Sequence, residues 1–142
     1  MSRRIKGQVE FEDDGGAVVR YVRHARGGGL VSPAAHVHEG AWLAETSYVE
    51  AGAVVHDRAR VGAGSWVDVD VVVGAGAVVG SNVHLGAGTR VGTGARIGTA
   101  ARIGERVVIE PRAIVAADQV VLDGATVTGP APGRRSRYGR AA

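Results

Sequence analysis

The sequence has no cysteine. That excludes a disulfide framework, a thiolate zinc site and a cysteine nucleophile. Bulky apolar residues are nearly missing as well, with one phenylalanine and four leucines in 142 residues. A helical bundle or a mixed α/β core needs more bulk than that. No apolar run is long enough to span a bilayer, and the N-terminal MSRRIKGQVEFEDD has no signal-peptide core, so the chain reads as soluble and cytoplasmic. Only one of the 17 basic residues is lysine, an arginine bias that points to a GC-rich genome. What remains is valine (25), glycine (23) and alanine (23), half of the chain in three residue types. That many glycines would each destabilise a helix by roughly 1 kcal/mol relative to alanine. Glycine does not fall at every third residue, so collagen is excluded too.

The charge is uneven. Four arginines (Arg134, Arg135, Arg137 and Arg140) lie in the last nine residues, and without them the chain carries 13 basic and 14 acidic side chains. The basic pI therefore belongs to the tail, residues 130–142, which reads as a disordered, solvated terminus. Nucleic acid is not an expected partner, unless through that tail.

Valine is not scattered. From Val31 to Val127, every sixth residue is aliphatic, seventeen in succession, through Leu43, Leu85, Ile97, Ile103 and Ile109. A small residue stands four places after almost every one, beginning Ala35, Ala41, Ser47, Ala53 and Ala59. Glycine falls mainly one or three places after. On an α-helix six residues advance about 600°, so no stripe would form. On a strand, the small residue and the next aliphatic residue are two apart and face the same way. The glycine-rich remainder turns a corner. Each hexapeptide is then one short strand and one corner, and three make a triangular coil. Five to six 18-residue coils follow, stacked at about 4.8 Å. Residues 1–30 lie outside this register. There IKGQVEF and AVVRYVRHA flank EDDGG, which reads as a hairpin that caps the open end.

Stretches such as VGAGAVVGSNVHLGAGTRVGTGARIG match the [LIV]-[GAED]-x-x-[STAV]-x pattern of the hexapeptide-repeat superfamily, which residues 31–129 resemble. The resemblance implies an all-β fold, a left-handed parallel β-helix, and a homotrimer with parallel axes. The opening GGGLVSPAAHVHEGAWLAETSYVEAGAVV is similar to small members of unassigned transferase type.

The residue before each aliphatic position points outward, and grouping by 18 separates three faces. One holds His36, Val54, Val72, Arg90, Val108 and Thr126. It is the most apolar, and so the candidate subunit interface. A second holds Trp42, Arg60, Val78, Arg96 and Ile114. The third stacks Tyr48, Trp66, His84, Arg102 and Val120. Trp66, His84 and Arg102 together could hold an anionic or acylated ligand; the plainer reading is a ladder chosen for strand propensity. At one corner His38 and His56 should stack, with His36 close by. These three could bind zinc, an arrangement similar to the hexapeptide-repeat carbonic anhydrases, although their three-histidine spacing is not reproduced. Polar corner residues facing water are the plainer alternative.

The superfamily resemblance implies a histidine general base and an acetyl-CoA or other acyl-CoA donor. His56 and His84 are the two candidates for that base. No loop interrupts the repeats to build an acceptor pocket. The expectation from the sequence is therefore a homotrimeric, non-catalytic scaffold or ligand-binding module. An acyl-CoA-dependent acyltransferase with a histidine between subunits is the alternative. A metal-binding, carbonic-anhydrase-like protein is a further one.

Overall fold

A computed structural model describes residues 8–12 and 18–130. Residues 13–16 of the EDDGG turn and residues 131–142 of the basic tail lie outside the described residues. Two strands, β1 (Gln8–Glu12) and β2 (Val18–Arg23), pair antiparallel. β2 then pairs antiparallel with β3 (Leu30–Val31), the first strand of the solenoid. From there on every strand is two residues long, one outward and one inward, and pairs in parallel with the strand 18 residues away. No helix occurs among the described residues, so none is long and apolar enough to cross a membrane.

Three sheets result, and they coincide with the three outward groupings. The aromatic face continues from β3 through Tyr48–Val49, Trp66–Val67, His84–Leu85, Arg102–Ile103 and Val120–Val121. The valine face runs from His36–Val37 to Thr126–Val127, and the third face from Trp42–Leu43 to Ile114–Val115. The aliphatic row fills the interior, where Leu43, Val49, Val61 and Leu85 are wholly buried. Each such side chain stabilises the coil by roughly 1.5–3 kcal/mol. The small row sits beside it, equally buried from Ala41 to Ala113. Its few hydroxyls are satisfied: Ser65 Oγ donates to the Gly80 carbonyl at 2.6 Å and Thr89 Oγ1 to that of Gly104 at 2.8 Å.

The corners answer to two separate constraints. The residue three places after the inward aliphatic is left-handed in every corner from Gly52 to Gly124. Six of these thirteen are glycine; the others include Asp70, Asn82 and Ala100, at φ near 60°. Left-handed geometry disfavours a side chain by about 1–2 kcal/mol, so it is tolerated here and not forbidden. One place after the aliphatic, several glycines face a steric limit instead. A Cβ at Gly92 would sit 2.4 Å from the Pro111 nitrogen of the next coil.

The N-terminal end is covered by the segment that follows β2. The Leu43 amide donates to the Arg26 carbonyl at 3.0 Å, and the Gly29 amide to the Leu43 carbonyl at 3.1 Å. The His24 ring bonds the Ala41 carbonyl at 2.7 Å through Nε2. These bonds occupy backbone groups that an open solenoid edge would leave bare.

Candidate functional site

Parallel pairing places Trp66, His84 and Arg102 side by side on successive coils of the aromatic face. The rings of Trp66 and His84 stack, with centroids 4.3 Å apart and planes 17° from parallel. Each of these two side chains reaches an acid on the coil before it. Trp66 Nε1 donates to Glu50 Oε2 at 2.8 Å, and His84 Nε2 meets Asp68 Oδ2 at 3.0 Å. The two acids hold equivalent positions, one place after Val49 and Val67. They look toward the ladder because the corner begins there.

The carboxylate of Asp68 can only accept, so Nε2 of the neutral His84 ring carries the hydrogen and Nδ1 keeps its lone pair. Asp68 thereby fixes the tautomer and leaves a basic nitrogen. About two-fifths of the His84 side chain remains accessible. The carboxylate of Glu50 is shared, since Oε1 accepts from the Tyr21 hydroxyl at 2.9 Å. Tyr21 comes from β2 and packs edge-on against Tyr48 at 5.6 Å. Burial, then the hydrogen bond to Glu50 and that residue's negative charge, push the Tyr21 phenol up from 10.0 to about 12. The result is a connected run: Tyr21 to Glu50 to Trp66, stacked on His84, held by Asp68. Sequence reasoning named Trp66, His84 and Arg102 but not Glu50, Asp68 or Tyr21. A separation of sixteen, repeated from Glu50 to Trp66 and from Asp68 to His84, was the available signal.

The histidines of the other corner are arranged differently. The strands that precede His38 and His56 pair in register, so their corners stack. Both line one hollow together with His36. His38 Nδ1 accepts from the Gly40 amide at 2.9 Å, so its 3.4 Å approach to Asp57 is not a hydrogen bond in the neutral ring. Among the described residues no three His, Asp or Glu side chains are grouped to hold a metal ion. His36, His38 and His56 do not form such a group within one chain. His56 also borders a second groove of about 460 Å³ on the valine face, lined by Val72, Arg90, Val108 and Pro111.

No protein-family model and no curated protein matches the sequence. Solved structures do. A histidine-to-alanine mutant of GDP-perosamine N-acetyltransferase from Caulobacter crescentus, in complex with CoA and GDP-perosamine, is 26% identical. It superposes with a TM-score of 0.69 over 70% of this chain and 47% of that one. PerB from Caulobacter crescentus, also with CoA and GDP-perosamine, is 26% identical over 70% of this chain and 48% of that one, with a TM-score of 0.52. The chain is a hexapeptide-repeat protein. Its coil is the left-handed parallel β-helix. The acetyltransferase domain of PglB from Neisseria gonorrhoeae shares this fold at 24% identity, over 79% of this chain and 53% of that one, with a TM-score of 0.68. This hexapeptide-repeat chain spans about half the length of the acetyltransferases it matches.

Proposed function

We propose that this chain is an acyl-CoA-dependent acyltransferase that works as a homotrimer, with His84 as its general base. The observation that carries the reading is the His84–Asp68 pair at 3.0 Å, on a fold whose solved neighbours include acetyltransferases with bound CoA. Those neighbours favour the enzyme over a passive scaffold. An imidazole with one nitrogen held by a carboxylate and the other basic is what proton abstraction requires. In the reaction, His84 Nδ1 takes the proton of an acceptor amine or hydroxyl as that group attacks the thioester carbonyl of the donor. The tetrahedral intermediate collapses, the C–S bond breaks, and the proton passes to the leaving CoA sulfur.

One chain leaves His84 open to water, which argues for a second copy as the other wall. The groove beside His56 offers an apolar lining, with Arg90 at its edge, for the donor. Groove and His84 lie on different faces, so a site that uses both is assembled between copies. His56 is the second candidate base, because it borders that groove.

The test is release of free thiol from acetyl-CoA against a panel of amino and hydroxy acceptors, together with mass in solution. Acceptor-dependent release is expected. His84→Ala should lower kcat by about 10²- to 10⁴-fold with little change in Tm. Full activity in His84→Ala with loss in His56→Ala would move the base to the other corner. A monomeric mass would overturn a site built between subunits.

A further inference from the structure

Two successive members of the ladder on the aromatic face follow a rule that the next one breaks. Trp66 and His84 each bond an acid sixteen residues earlier, on the preceding coil. Carried one coil further, the rule pairs Arg102 with residue 86, which is glycine. Coil packing keeps it so, because a Cβ there would sit 2.4 Å from the Gly104 carbonyl oxygen. The permanently charged member of the ladder is thus the one to which the chain supplies no anion. Among the described residues Arg102 has no hydrogen-bond or ion-pair partner. It borders a hollow of about 440 Å³ shared with Gly104, Val120, Leu122 and Asp123. The acid in that hollow is already engaged, with Asp123 Oδ1 accepting from the Glu105 amide at 2.8 Å. It forms no ion pair with the guanidinium.

We infer that Arg102 anchors an oxyanion of an external ligand, a carboxylate or a phosphate, which takes the role that Glu50 and Asp68 play on the preceding coils. A guanidinium presents a planar fork that matches either group with two parallel hydrogen bonds. Arg102 pairs directly with His84 across one strand spacing, about 4.8 Å. Resting on the acyl-transfer reading, this names the acceptor class: a small amine or alcohol that also carries a carboxylate or phosphate. The acid is held at Arg102 while the nucleophile reaches His84.

Calorimetric titration of the full chain with inorganic phosphate, and separately with acetate, tests the site at constant ionic strength and without acyl-CoA. Saturable binding of one of them is expected, and the anion that binds tells phosphate from carboxylate. Arg102→Gln should weaken it about tenfold or more, the loss of a charge-assisted hydrogen bond. Arg102→Lys should weaken it less, and Arg96→Gln, an exposed arginine of the third face, not at all. Circular dichroism checks that the variants keep the coil. Equal weakening by Arg96→Gln, no effect of Arg102→Gln, or no saturable binding of either anion would overturn the site. Binding without any acyl transfer would leave this anchor standing and remove only the role given to His84.

Discussion

The aromatic and valine faces share one interior and differ only in the row that points out. On the aromatic face two outward side chains find partners within the chain, Trp66 in Glu50 and His84 in Asp68, with Tyr21 drawn in from the hairpin, while Arg102 is left for a ligand. On the valine face Val54, Val72 and Val108 point outward with no such partners, and Val108 is 41% exposed. A row of β-branched side chains facing water gains nothing until something covers it. Trp66 and His84 have their polar partners within a single copy, whereas the valine row has nothing to cover it. On the reading proposed above, the difference separates two jobs that a repeat can hide, recognition on the aromatic side and assembly on the valine side.

The sharpest contrast is between inside and outside on one strand. Leu85→Ala should destabilise the chain by about 2–5 kcal/mol in urea unfolding, because the wholly buried leucine leaves a cavity between fixed coils. Its outward neighbour His84 should cost about 1 kcal/mol or less on the same substitution, since its hydrogen bond to Asp68 is partly solvated. Equal losses would mean that the aromatic face is architecture after all. Next in size is Val72→Glu. It should dissociate the assembly, seen as a fall in solution mass, while the far-ultraviolet spectrum is kept. An unchanged mass would put the interface on another face. The smallest effect belongs to Tyr21. Its phenol is raised from 10.0 to about 12, so the fold holds a proton that the unfolded chain releases in that interval. Its contribution is whole below pH 10 and is lost as the pH climbs towards 12. Tyr21→Phe should flatten that part of the alkaline decline in Tm; a parallel decline in both proteins would show that the hairpin tyrosine is not coupled to folding.

Most of the architecture was readable before any coordinates. A period of six with an unbroken aliphatic row leaves the backbone one way to bury valine, and the sheets follow the same grouping by 18. Less readable was why glycine stands where it does. Asp70, Asn82 and Ala100 occupy the same left-handed place as Gly52 and Gly64, so that place prefers glycine without requiring it. Two residues earlier, Gly86 and Gly92 have no room for a side chain against the next coil, although the same place holds Glu50 and Asp68 on other coils. The bonds of the candidate site were less visible still. They run diagonally, from a corner of one coil to the flat side of the next, at a separation that is a multiple of neither 6 nor 18. Tyr21 could not be placed at all, since it enters from a hairpin that does not share the repeat.

The diagonal bond has a consequence for chain length. Six residues inserted between Asp68 and His84 would leave every aliphatic side chain inside, and the solenoid would close as before. Yet His84 would then emerge a third of a turn away, on another side of the prism from its carboxylate. Eighteen inserted residues would return it to the correct side but one storey too high. Folding therefore accepts any whole number of hexapeptides, while the His84–Asp68 pair accepts a single length. An ancestor that grew by duplicating hexapeptides could add storeys beyond Arg102 without disturbing these contacts, but not between Asp68 and His84.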